Sequence, residues 1–173
     1  MIPEIEITCR GERHFINSVT VEQYKKYISL MEKNDTEKFS GVMFFNKKIM
    51  QMLFGNELTL AEIGEIDAIE FMTAIKAVHF TMQQVVAEKM LNIVEVERVE
   101  KEVSAFDEYD IENGYEEEQP EENQWKVCGE IVDRVVKIAI RLLKNSYSQC
   151  MKEDIVALLD YLKFELDTIN ENQ

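Results

Sequence analysis

Three features of the sequence predict a mainly α-helical fold: a short N-terminal β-hairpin, a helical domain, an acidic linker and a small C-terminal helical pair. Alternation with a period of two is confined to the first residues. Thereafter apolar residues recur at helical spacing behind Ser/Thr/Asp cap patterns. The 173 residues include only six glycines and two prolines, too few for the many turns of a β-sandwich, a barrel or a doubly wound α/β fold.

The elements follow in order. Ile5, Ile7 and Cys9 alternate with Glu4, Glu6, Thr8 and Arg10, Arg10-Gly11-Glu12 supplies a turn, and His14-Phe15-Ile16 returns. Thr20 with Gln23 is a capping box for a helix carrying Val21, Tyr24, Tyr27, Ile28 and Met31. Asp35 or Thr36 caps a second helix, with Phe39, Val42, Met43, Phe45, Ile49, Met50 and Leu53, which Gly55-Asn56 ends. Thr59 and Glu62 repeat the capping box for a short helix ending near Gly64. Asp67 with Glu70 starts a helix that no glycine or proline interrupts until about Glu102. Its expected apolar positions are Ile69, Met72, Ile75, Val78 or His79, Met82, Val85 or Val86, and Ile93. After the linker, Val127, Ile131, Val135, Ile138 and Leu142 form one stripe of a helix running to about Lys144. Asn145-Ser146-Tyr147-Ser148 reads as a turn, and residues 152–169 as a last helix rich in leucine. Two helices alone make a thin core, so this C-terminal piece packs on the first domain, on itself or on a partner.

Charge divides the chain. Residues 1–106 carry 12 basic and 17 acidic residues, net 12 − 17 = −5. Residues 107–124 carry no basic and nine acidic residues, net −9. Residues 125–173 carry seven basic and eight acidic, net −1. The boundaries expected are therefore 1–106 for the hairpin and helical domain, 107–124 for a solvated acidic linker, and 125–173 for the helical extension. A total of −15 repels nucleic-acid phosphates and anionic membrane surfaces. The densest basic spots, Lys25-Lys26 and Lys47-Lys48, lie in helical patterns with acids nearby. Neither a nucleic acid nor a membrane is expected as a partner. The N-terminus lacks the pattern of a signal peptide, and no apolar run reaches membrane-spanning length. Cys9, Cys128 and Cys150 are odd in number and widely spaced, which fits a reduced, cytoplasmic protein better than a disulfide framework or zinc site.

Catalytic patterns are missing. His14 and His79 are the only histidines, and His79 lies within an amphipathic helix as a core-boundary residue would. No nucleophile elbow, Walker loop, dinucleotide fingerprint or HExxH occurs. Glu62, Glu65, Asp67 and Glu70 cluster, but at helix starts, where the macrodipole already favours acids. Neither Asp107 nor Asp110 opens a register with EF-hand ligands, because Ile111 or Gly114 then takes the fifth position. No catalytic residue, metal or cofactor is therefore expected. The segment 42–54 is apolar on more than one helical face, and seven of the nine methionines lie between residues 31 and 90. An ordinary core helix accounts for most of this. Yet Met43, Phe44, Phe45, Met50, Met52, Leu53 and Phe54 cannot all face one side, so some meet a second surface or an oligomer interface.

Residues 54–91 resemble the tail assembly chaperones of long-tailed bacteriophages and prophages of Gram-positive hosts. The resemblance rests on Phe54-Gly55-Asn56, Leu58-Thr59-Leu60 and Ile66-Asp67-Ala68 ahead of a long helix. Cys150-Met151-Lys152-Glu153-Asp154-Ile155, followed by Leu158-Leu159-Asp160-Tyr161-Leu162, resembles the ending of the family's extended product. The charge of residues 94–106 departs from the family's compact end to the first domain. The resemblance implies a non-enzymatic protein of the host bacterial cytoplasm, absent from the mature virion. It would form homo-oligomers, hold the tape measure protein in solution, and recruit tail tube subunits through the second domain. On that reading the partner-binding residues are Met43, Phe44, Phe45, Met50, Leu53 and Phe54, with Ile155, Leu158, Leu159, Leu162 and Leu166 of the last helix. The competing reading is an acidic regulatory protein or nucleic-acid mimic that sequesters a basic partner through residues 107–124. Salt-sensitive binding would mark it.

Overall fold

The computed structural model of the chain describes residues 2, 4–33, 39–55, 58–99 and 123–171. The expected caps Asp35 and Thr36, the helix stop at Asn56, the charged stretch 100–106 and residues 107–122 of the acidic linker lie outside these residues, while Asn123 and Gln124, expected in the linker, cap and begin a helix.

The two strands, β1 (Ile5–Cys9) and β2 (Glu12–Ile16), pair antiparallel with Cys9 opposite Glu12. The turn is one residue shorter than expected, because Arg10 (φ 52°) and Gly11 (φ 82°) both take the left-handed conformation of a two-residue hairpin turn. Ile5, Ile7 and Cys9 face inward, as the alternation requires.

Helices α1 (Val21–Glu32), α2 (Phe39–Leu53) and α3 (Leu60–Ile63) follow. Thr20–Gln23 and Thr59–Glu62 both form the reciprocal bonds of a capping box. Gly55 closes α2 at φ 72°, a conformation glycine adopts without strain.

The long helix is not uniform. It runs as α4 (Ala68–Phe80), a π-helical segment (Thr81–Val86) and α5 (Ala87–Val99). Its inward residues explain the interruption. Val78, Met82, Val86 and Met90 are all buried, yet three consecutive four-residue steps drift by about 120° in a regular α-helix. The wider turn takes up the excess and keeps Met82, Val86, Met90 and Ile93 on the core. Two expected core positions are corrected: Ile69 and Met72 face outward, while Phe71, Ala74, Ile75 and Val78 form the buried face.

The C-terminal piece comprises α6 (Gln124–Leu143), α7 (Tyr147–Lys152) and α8 (Ile155–Glu171). Lys144 ends α6 at φ 55°. The expected turn is shorter than its four residues, because Ser146 with Gln149 makes a further capping box and starts α7 at Tyr147. Glu153 is extended and Asp154 begins the next helix, so the stretch from 152 to 169 is not one helix. Of the three placements open to this piece, the structure shows packing against the N-terminal part. Helix α6 lies on α1 and α5, and α8 lies on α5. A small backbone clasp joins them: Ile155 N–H donates to Val19 O at 2.8 Å, and Val21 N–H donates to Glu153 O at 3.1 Å. Hairpin, N-terminal helices and C-terminal helices share one cluster of buried apolar side chains.

Candidate binding surfaces

Most of the apolar residues singled out from the sequence are core. Met50, Leu53 and Phe54 on the α2 side are buried, as are Ile155, Leu158, Leu159, Leu162 and Leu166 on α8. A partner could reach them only by opening the fold. Met43 is half-buried against the same core and Phe45 is half-buried. Phe44 alone is substantially exposed, at 47%, with the Lys48 ammonium 4.4 Å from its ring centroid.

The exposed apolar side chains lie elsewhere. On α4, Ile69 is 79% exposed, Met72 41% and Phe80 61%. At 3.6 residues per turn these positions, with Lys76 between them, form one stripe opposite the buried face. Helix α4 is thus apolar on two sides, and only one contacts the core. Helix α8 repeats the arrangement: its leucines point inward, while Tyr161 and Phe164 (63% exposed) stand on the outer face. The sequence signal for both stripes was available. Ile69, Met72 and Phe80 are too far around α4 from Phe71 and Val78 to share a face with them, as Tyr161 and Phe164 are from Leu159 and Leu162.

Beneath α4 runs a polar network. Gln83 Nε2 donates to Tyr27 Oη at 3.2 Å, Tyr27 Oη lies 2.9 Å from His79 Nδ1, and His79 Nε2 lies 3.2 Å from Asn46 Oδ1. An amide oxygen only accepts, so Nε2 carries the imidazole proton and Nδ1 accepts from Tyr27. Burial holds the His79 pKa below the ordinary imidazole value and pushes that of Tyr27 up to about 12. Tyr24 Oη donates to Met82 O at 3.2 Å, so the π-helical segment is tied to α1 twice. Every bond in the network joins neighbouring elements of the fold, which makes it a structural tie.

The acidic cluster is likewise spent on structure. Glu62 closes the Thr59 capping box and pairs with Arg10 at 2.7 Å, and Glu65 pairs with the same arginine at 3.1 Å. Asp67 accepts the N–H groups of Ile69 and Glu70, and Glu70 accepts that of Thr8. Hydrogen bonds from Thr59, backbone first, together with the Arg10 charge, hold the Glu62 pKa below the usual carboxylate value. Cys9, Cys128 and Cys150 are free thiols whose pKa burial raises, which keeps thiolate, the nucleophilic form, scarce. Among the described residues no group of three or more His, Cys, Asp or Glu is placed to hold a metal ion, and no helix is long and apolar enough to cross a membrane.

Comparison with family models, with curated proteins and with solved structures gives no match.

Proposed function

We propose that this chain is a non-enzymatic binding protein that covers apolar helical segments of a partner, as a tail assembly chaperone of a long-tailed phage or prophage does. In that role it holds the tape measure protein in solution within the host bacterial cytoplasm, recruits tail tube subunits, and is left behind when the virion matures. The observation that carries the reading is the outer stripe of α4. Three large apolar side chains, Ile69, Met72 and Phe80, stand in water on a helix whose opposite face is anchored in the core. Such a stripe fits beside another amphipathic helix without rearrangement of either. The aromatic pair Tyr161 and Phe164 offers a second contact on the C-terminal piece, where the tube subunit would bind.

Co-expression with a long coiled-coil tape measure protein tests this. The wild-type chain should keep that protein in the soluble fraction and co-purify with it in 0.5–1 M salt (roughly the range in which exposed charge pairs are screened). The Ile69→Lys/Phe80→Lys double variant should not. A tape measure protein that stays insoluble with the wild-type chain, or a complex that dissolves in moderate salt, sinks the reading. The latter outcome favours instead an acidic protein acting on a basic partner.

A further inference from the structure

The two basic spots of the sequence contribute one lysine each to a single groove. Helices α1 and α2 enclose a surface groove of about 450 Å³. Lys26 and Ser29 of α1 stand on one wall, and Lys48 and Gln51 of α2 on the other. Leu30 and Met52, both half-buried against the core, supply apolar lining. We propose that this groove is the docking site for an acidic peptide segment of a partner protein, one that carries an apolar anchor flanked by carboxylates.

Charge sign is the first argument. The chain as a whole stands at −15, yet among the described residues both charged side chains lining this groove are cationic. A carboxylate-bearing segment is attracted to the two lysines, and their positions on opposite walls of the groove fix its register. Side-chain placement is the second. Lys48 lines the groove, and its ammonium, 4.4 Å from the Phe44 ring centroid, is restrained before any partner arrives. Lys26 pairs with Glu22 at 2.8 Å, but both side chains are exposed and four residues apart on one helix. Such a pair is worth only a few tenths of a kcal/mol and exchanges readily for a better acceptor. The groove's composition is the third. Leu30 and Met52 take an apolar side chain, while the Ser29 hydroxyl and the Gln51 Oε1, whose Nε2 donates to Leu58 O at 3.3 Å, meet polar backbone, which selects a peptide over a free anion. The site is separate from the α4 stripe and stands whether or not the partner is a tape measure protein.

The test is fluorescence anisotropy of the full chain with two labelled 14-residue peptides. One alternates leucine anchors with glutamates, and the other carries glutamine at every glutamate position. The glutamate peptide should bind, weaken as salt rises from 50 to 300 mM (about a twofold change in screening length), and lose at least tenfold in affinity to Lys26→Gln/Lys48→Gln. The Ile69→Lys/Phe80→Lys variant should bind it as the wild type does, which keeps this proposal distinct from the function proposed above. Circular dichroism of the lysine variant checks that its fold is intact. Equal binding of the two peptides, undiminished binding by the lysine variant, or no binding overturns the proposal. Binding that emerges only when the nine acids of residues 107–124 are changed to amides assigns the groove to the chain's own segment and overturns the partner assignment.

Discussion

Asp154 reaches across 135 residues of sequence to hold Val19: its Oδ2 accepts the Val19 backbone N–H at 3.1 Å, while its Oδ1 accepts the Ala157 N–H at 2.9 Å. One carboxylate therefore caps α8 and fastens it to the segment entering α1. Replacing it leaves a helix end uncapped and a partly buried amide unpaired. Asp154→Ala should cost about 1–3 kcal/mol of stability, and Asp154→Asn less, since its amide oxygen can still accept one of the two bonds. Urea titration followed by far-ultraviolet circular dichroism measures both. Unchanged midpoints would show that the clasp does not hold the two parts together.

The Tyr27–His79 pair gives the fold a pH dependence. Burial lowers the His79 pKa relative to the unfolded chain, so the unfolded state binds a proton first as pH falls. Stability from this group is complete above about pH 6.5, the ordinary imidazole value, and declines below it. Protonation of Nδ1 also opposes the Tyr27 hydroxyl that donates to it. Thermal unfolding at pH 7.5 and 5.5 should show a loss in the wild type that His79→Gln largely removes. Tyr27→Phe should cost about 1–3 kcal/mol at neutral pH, because it strands the partly buried His79 Nδ1.

What could be read from the sequence divides by distance along the chain. The capping boxes at Thr20 and Thr59 and the Asp67 cap are local, and the residues that make them lie within three positions of each other. The hairpin is local too. The facing of α4 is not, because a helix apolar on two sides leaves open whether Phe71 or Ile69 turns inward. That choice is made by β1, which packs on α4, and by the network reaching His79 from α1 and α2. The leucines of α8 were legible as a stripe, but a stripe has the same spacing whether it meets a partner or its own core. Here α5 and α6 supply the cover.

The outer and inner faces of these helices should therefore respond oppositely to substitution. Ile69→Lys/Phe80→Lys places charges in water and should alter stability by less than about 0.5 kcal/mol per site. Leu159→Ala empties a buried position and should cost about 2–5 kcal/mol. Paired denaturation and co-purification experiments separate the two effects. A strongly destabilised surface variant would show that the stripe is covered within the chain.

Thr81 sits at the start of the π-helical segment with its hydroxyl buried and without a hydrogen-bond partner among the described residues. Burying an unpaired hydroxyl is unfavourable, whereas a methyl of similar shape is not. Thr81→Val should raise stability by about 1 kcal/mol, read as a higher urea midpoint with an unchanged slope. A lower midpoint would mean that the hydroxyl has a partner in solution.

The π-helical segment makes the last prediction the most specific. One residue more than an α-helix requires is absorbed between Thr81 and Val86, which brings Met90 and Ile93 back to the core alongside Val78. Gln84 is exposed within it. Deleting Gln84 should convert the segment to regular α-helix while both flanks keep their facing. The chain should still fold, at a cost of about 1–3 kcal/mol for disturbing the Tyr24–Met82 and Tyr27–Gln83 bonds. Deleting the equally exposed Lys76 has no such slack to consume. It turns everything after it by about 100° relative to Phe71 and Ala74, and takes Val78, Met82 and Val86 off the core. The two single-residue deletions should thus differ from a folded protein to an unfolded one by circular dichroism. If both unfold the chain, or neither does, the extra residue is not what the segment accommodates.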